Sequence, residues 1–268
     1  MAASSGSSHR QKGLKTTALV SRLVSSQKSF LAKQRTSRKQ KHSEQRPRSP
    51  SPALLPEGSN PSEVNTVGSL TLLQKVAEIP GLRCMREFLT AENASNIVNL
   101  IDSLPWNRGP NALKRRTQQY GYQYDYSSVK PPAPASEFPP FAKEIAFALF
   151  QAGIFALLPD QLIINEYHPG QGISAHIDHP TQFGDTVVSI SVCGSCFMQF
   201  ASKQNESKHN FWFSERSLII LQGAARYNWT HSILSRKSDF LNGAKVQRTR
   251  RLSLTFRCIQ KTTVIDLG

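Results

Sequence analysis

From Gln161 onward the chain is broken into short runs rich in β-branched and aromatic residues: QLIINEY, GISAHID, DTVVSISV, SCFMQFAS, HNFWFS, RSLIILQG, ARYNWTHSI and RRLSLTFRC. Turn residues separate them, so each run fits a short strand far better than a helix. Many short strands at close spacing argue for a β-sandwich or jelly roll. Two helical patterns come first. Thr90 can cap a helix whose apolar positions Ile97, Leu100, Ile101 and Leu104 recur at helical spacing, and Pro105 stops it. A second helix is expected from Pro139 or Pro140 through Phe155, with proline in its first turn and Phe141, Ile145, Ala148 and Leu149 on one face. The expected class is mainly β with flanking helices (α+β), the helices lying outside the strands.

Charge divides the chain. Twelve of its 33 Lys and Arg fall in residues 1–50, opposed there only by Glu44, so that segment carries +11 of the formal +15. It is Ser-rich, almost without aromatics, and ends in RPRSPSPALLPEGSNPS. Such a composition buries too little apolar surface to offset chain entropy, and residues 1–65 read as a disordered basic tail ahead of one folded domain, 66–268. A basic tail of this kind suits a nucleic-acid arm, a nuclear signal around RTSRKQKHSEQRPR, a mitochondrial transit peptide, or a solvated linker. Leu19, Val20, Leu23 and Val24 repeat at helical spacing beside Arg22, which suits the transit helix. The expected location is nuclear or mitochondrial.

No stretch approaches the roughly 20 apolar residues of a membrane span, so no membrane partner is expected. The four cysteines are Cys84, Cys193, Cys196 and Cys258, and Cys193 and Cys196 form a C-x-x-C inside an apolar β-type run. A redox motif belongs at a strand-to-helix junction, and a zinc ribbon needs a second pair; buried free thiols and a protein that is not secreted fit better.

The last strand is the sharpest clue to function. In RLSLTFR, Arg251, Ser253, Thr255 and Arg257 share one face, while Leu252, Leu254 and Phe256 share the other. A solvated edge strand has the same pattern. QLIINEY likewise puts Asn165 and Tyr167 on one face, and His176 and Asp178, two residues apart, leave the same face of an extended chain. His231 supplies a further imidazole. Two imidazoles and a carboxylate are the ligands of the facial triad that holds Fe(II), and zinc accepts the same three groups. Two arginines on a neighbouring strand favour the first, because a guanidinium fork grips a carboxylate and implies a dicarboxylate co-substrate.

The combination of N-x-Y-x-P-G at Asn165 to Gly170, H-x-D at His176 to Asp178, His231, and two arginines six apart at Arg251 and Arg257 resembles the AlkB family of 2-oxoglutarate- and Fe(II)-dependent dioxygenases, over residues 80–260. The resemblance implies a double-stranded β-helix (jelly roll) that binds Fe(II) and consumes 2-oxoglutarate and dioxygen in demethylating or hydroxylating bases of nucleic acid. By the same resemblance His176, Asp178 and His231 are the metal ligands and the catalytic centre. Arg251, with Tyr167 and Ser253, meets the distal carboxylate of 2-oxoglutarate, and Asn165 and Arg257 its other end. RRTQQYGYQYDY matches the family's nucleotide-recognition lid. Arg115 and Arg116 would then hold phosphates, and Tyr120, Tyr122, Tyr124 and Tyr126 would stack a flipped base if the segment is extended. A tyrosine-rich strand packed on the jelly roll is the competing reading.

One position departs from the repair members. Pro180 stands where they carry an acidic residue near the base, and the run from YGYQYDY through NEYHPGQGISAHID is closer to the branch containing the tRNA wobble-uridine hydroxylase. The expected partner is a DNA or RNA substrate met by a monomer. The alternatives are the same chemistry on a protein side chain and a catalytically silent nucleic-acid-binding module.

Overall fold

The computed structural model describes residues 73–107, 115–123 and 133–260. The basic tail, Tyr124 and Tyr126 lie outside the described residues. Short elements come first: β1 (Gln74–Lys75), β2 (Leu82–Met85), helix α1 (Ala91–Asp102), β3 (Thr117–Tyr120), β4 (Tyr122–Gln123), β5 (Ala133–Pro134) and helix α2 (Pro140–Gln151). The strand-rich part follows as β6 (Gln161–Tyr167), β7 (Ile173–His176), β8 (Val187–Cys193), β9 (Cys196–Ser202), β10 (Lys208–Phe213), β11 (Leu218–Leu221), the short helix α3 (Gly223–Tyr227) and β12 (Trp229–Ile233). It ends with β13 (Ser238–Leu241), β14 (Ala244–Gln247) and β15 (Arg251–Arg257).

Seven strands form one antiparallel sheet in the order β1-β2-β11-β8-β15-β6-β3, and four form a second in the order β10-β9-β12-β7. From β6 to β12 the chain moves between the two, and β15 returns to the first, between β6 and β8. The result is the expected jelly roll, a double-stranded β-helix. Val187, Ile219 and Leu221 of the larger sheet pack against Met198, Phe200, Phe213 and Ile233 of the smaller one. The larger sheet's other face meets the helices: Ile97 and Ile101 of α1 and Phe141, Ile145 and Leu149 of α2 cover Leu162, Ile164, Leu252, Leu254 and Phe256. Burying each such side chain contributes about 1.5–3 kcal/mol, which anchors both helices outside the strands.

The N-cap reading of α1 holds in detail, since the Thr90 side chain accepts from the Asn93 backbone N–H. The second helix stops at Gln151, short of Phe155, because Gly153 takes φ +67 and the chain turns there. ARYNWTHSI is not one strand: Gly223–Tyr227 is helical, and the ladder starts at Trp229. The hairpin of β13 and β14 was not expected. Of the four thiols, all free, Cys84 and Cys196 are buried while Cys193 and Cys258 are only half-buried. Among the described residues no helix is long and apolar enough to cross a membrane.

The tyrosine segment does not share one face. Gly121 at φ +73 ends β3, so Tyr120 belongs to the large sheet while Tyr122 starts a separate two-stranded ribbon with β5. Tyr120 lies in the helix-side core, and its hydroxyl donates to Gln118 Oε1 at 3.1 Å. It is a packing residue. Tyr120→Ala is expected to destabilise the protein by about 3–5 kcal/mol, the usual cost of deleting a large aromatic side chain from a core. Urea unfolding measures this directly, and a midpoint equal to that of the wild type would put Tyr120 back on the surface.

Candidate active site

The polar face of β15 turns inward. It is an interior strand with Leu252, Leu254 and Phe256 in the helix-side core, so Arg251, Ser253, Thr255 and Arg257 look into the space between the sheets. This excludes the solvated edge strand. Register places Tyr167 opposite Arg251 and Asn165 opposite Ser253, adding the inward side chains of β6. From the smaller sheet, His231 of β12 pairs across from His176 of β7.

One cavity is therefore lined by Asn165, Tyr167, His176, Asp178, His231, Arg251, Ser253 and Arg257, together with Arg115. Its empty volume of about 550 Å³, open mouth included, lies in the range of about 300–1,000 Å³ usual for small-molecule sites. Ligand atoms of His176, Asp178 and His231 all fall within 4.8 Å of one another, and the two imidazole centroids are 4.3 Å apart.

The donor chemistry fits a metal. His176 Nδ1 lies 2.8 Å from the Ser174 carbonyl oxygen, which can only accept, so Nδ1 donates to it and Nε2 is the nitrogen left for a metal. Burial, reinforced by His176, lowers the His231 pKa to about 4, and its Nδ1 is buried with no hydrogen-bond partner among the described residues. A neutral imidazole is what a metal needs. Burial alone would raise the Asp178 pKa, but Arg257, His231, His176 and Arg226 together hold it below the usual carboxylate range. Arg257 Nη1 donates to Asp178 Oδ1 at 3.0 Å.

At the far end of the cavity the Arg251 guanidinium lies over the rings of Tyr167 (5.5 Å) and Phe213 (4.9 Å), and its Nε donates to Ser191 Oγ at 3.0 Å. Its Nη2 is buried without a hydrogen-bond partner among the described residues. A buried, unused donor on a fixed guanidinium is costly unless an anion meets it, and a carboxylate is the natural complement.

The two lid arginines separate. Arg115 Nε donates to Asn165 Oδ1 at 2.9 Å, and its guanidinium lies 5.9 Å from the Tyr167 ring centroid, so it faces the cavity. Arg116 points to the opposite face of β6, where it pairs with Glu166 and lies 4.5 Å over Trp106. It is a structural residue in this arrangement. Tyr122 is half-buried and outside the cavity lining. Tyr124 lies outside the described residues.

Sequence reasoning missed Glu166. Its carboxylate is fully buried and accepts from Arg116 and, at 2.7 Å, from Arg250 Nε, while Arg250 also pairs with Asp102 at the end of α1. The visible signal is an acid in the middle of an otherwise apolar strand, but its partners are remote in sequence. Burial pushes the Glu166 pKa up, and the two guanidinium hydrogen bonds more than reverse this, so the folded value lies below the ordinary one. Its contribution is thus complete above the unfolded pKa, near 4.5, and is lost as pH falls through the folded value. Glu166→Gln is expected to be less stable at neutral pH and to lose less on acidification; denaturant titrations at several pH values test this, and parallel curves for both proteins would refute it. Arg226 was also missed. It is 2% exposed and reaches the loop that carries Asp178.

A family model for the 2OG-Fe(II) oxygenase superfamily matches residues 81–257. The chain is 32% identical over 224 residues to the "Alkylated DNA repair protein ALKBH8 homolog" of Arabidopsis thaliana, covering 74% of this chain and 64% of that one. It is also 32% identical over 201 residues to the "tRNA (carboxymethyluridine(34)-5-O)-methyltransferase alkbh8" of Xenopus tropicalis, covering 68% of this chain but 32% of that protein. The "DNA N6-methyl adenine demethylase" of Caenorhabditis elegans is 24% identical over 210 residues. The chain thus spans under two thirds of the plant relative and about a third of the frog one. Among solved structures, OsALKBH1 superposes with a TM-score of 0.54 at 18% identity, over 69% of this chain and 99% of that one, which speaks to the fold. With its family model, its relatives and its His-Asp-His cluster in agreement, the chain belongs to the 2OG-Fe(II) oxygenase superfamily and, within it, to the AlkB-like dioxygenases, which use Fe(II) and 2-oxoglutarate.

Proposed function

We propose that this dioxygenase oxidises modified bases in nucleic acid, by demethylation or by hydroxylation of a base substituent. The observation that carries the reading is the naming of its relatives: a DNA repair homologue, a tRNA methyltransferase and a DNA demethylase, each matched over two thirds or more of this chain. The excess of +11 in residues 1–50 supports it, since such an arm attracts a phosphate backbone without regard to sequence. Pro180 next to the triad, and the likeness to the relative named for a tRNA uridine, favour an RNA base over a simple methyl lesion in DNA.

In this reading His176, Asp178 and His231 hold the ferrous ion, which with 2-oxoglutarate and dioxygen supplies the oxidising chemistry and leaves succinate and carbon dioxide. Arg251, Tyr167 and Ser253 hold the distal carboxylate of 2-oxoglutarate, and Asn165 and Arg257 orient its other end. Arg257 also fixes the Asp178 carboxylate through its 3.0 Å hydrogen bond. Arg115, at the cavity, donates to Asn165 and lies over the Tyr167 ring.

The test is aerobic incubation with ferrous iron, 2-oxoglutarate and a panel of modified ribo- and deoxyribo-oligonucleotides, reading base masses by mass spectrometry and succinate in parallel. A mass change on a ribonucleotide base is expected. Succinate formation that no oligonucleotide stimulates, with every base mass unchanged, would favour a protein side chain as substrate.

A further inference from the structure

The metal cluster is assembled from two separate pieces of chain. His231 is fixed by a ladder, since β12 pairs with β9 and β7. Asp178 is not. β7 ends at His176, and between Ile177 and Thr186 the only sheet pairing among the described residues is an isolated bridge at Phe183. An irregular segment whose Asp178 and Phe183 are buried leaves carbonyl oxygens without ladder donors, and something must satisfy them.

Arg226 does so. Its Nη1 donates to the Asp178 carbonyl at 2.6 Å, its Nη2 to those of His179 and Phe183 at 3.1 and 3.2 Å, and its Nε to that of Gly184 at 3.1 Å. Four carbonyls of one loop thus converge on one guanidinium that is 2% exposed. The planar fork is what makes this possible, because a lysine has one nitrogen and cannot reach four oxygens spread along a loop. Arg226 also lies in α3, and three residues after it the chain enters β12, the strand of His231. The side chain therefore ties the loop bearing one end of the triad to the segment bearing the other.

We propose that Arg226 is the positioning residue of the metal centre: by clamping the main chain from Asp178 to Gly184 onto the helix that leads into β12, it sets the spacing of the Asp178 carboxylate from His231, and with it the metal affinity. This rests on the assignment of His176, Asp178 and His231 as the metal ligands. Arg257 orients the carboxylate itself, so side chain and main chain of Asp178 are held by different arginines.

The test is titration of the full chain with Mn(II) under nitrogen, following the free ion by electron paramagnetic resonance, for the wild type, Arg226→Lys, Arg226→Gln, Asp178→Asn and Arg248→Lys. Arg248 is another buried arginine, just after β14 and bonded to Asp239 of β13, and serves as the control for loss of a buried guanidinium. The Arg226 variants are expected to raise the Mn(II) Kd about 10–100-fold, the usual effect of removing a partner that orients a ligand, while far-UV circular dichroism stays native and excess ferrous iron restores turnover. Arg248→Lys should lower the thermal midpoint with an unchanged Kd. A wild-type Kd in the folded Arg226 variants overturns the proposal, as does an equal rise in Arg248→Lys or the failure of both Arg226 variants to fold. A wild type that does not bind Mn(II), or an Asp178→Asn protein that binds it as well as the wild type, would instead remove the metal-ligand assignment and this inference with it.

Discussion

Asp178→Asn is expected to abolish conversion of 2-oxoglutarate to succinate and to weaken metal binding by well over the roughly 100-fold ceiling typical of residues that only orient a ligand. The substitution keeps the volume of the side chain and an oxygen for Arg257 Nη1, so the pair at 3.0 Å can persist while the anionic ligand is gone. Alanine is the poorer choice. It would take the carboxylate away from an arginine that is 1% exposed, and breaking a buried pair in this way costs about 3–5 kcal/mol, mixing a folding defect with the chemical one. An Asp178→Asn protein that made succinate at the wild-type rate would show that the cluster of His176, Asp178 and His231 is not the reacting centre.

Arg251→Lys should act on the co-substrate and leave the metal alone. The guanidinium is held over Tyr167 and Phe213, with one buried nitrogen that no group among the described residues engages. A lysine ammonium keeps the charge but has neither the fork nor the plane that rests on the two rings. Hydrogen bonds to a charged group contribute about 1.5–3 kcal/mol each, so losing one or two should raise the KM for 2-oxoglutarate by about one to three orders of magnitude. The Mn(II) Kd is expected to stay within about twofold, since none of the ligands touches Arg251. Steady-state kinetics at varied 2-oxoglutarate decide the matter, and an unchanged KM would mean that this end of the cavity does not receive the carboxylate.

Much of this site is legible in the sequence because β-strands alternate sides. RLSLTFR and QLIINEY each write two patterns at once, and the polar one converged in the cavity as alternation requires. The same rule does not account for His176 and Asp178. They meet although Asp178 lies beyond the end of β7, where no parity applies, and its place is set by Arg226 and Arg257, 48 and 79 residues away. Contacts of that span leave no local signal. Glu166 is a similar case: its strand is readable, but the guanidinium groups that let an acid sit there come from Arg116 and Arg250. The tyrosine segment misled because extension was assumed through Gly121, a residue whose backbone instead bends the chain and sends Tyr120 inward.

The division of β6 and β15 into two faces has a consequence for how such an enzyme can change over generations. Odd-numbered positions of both strands carry the cavity, while even-numbered ones carry the helix-side core, with Glu166 among them. Deleting or inserting a single residue within either strand would exchange the two sets, sending Leu252 and Leu254 into the cavity and Arg251 and Ser253 into the core. Drift in these strands is thus confined to substitution, one site at a time. Length variation is open to the turn between β13 and β14, where Asn242, Gly243 and Ala244 are exposed, and new substrate ranges would have to be gained through such segments around a catalytic floor that cannot slide.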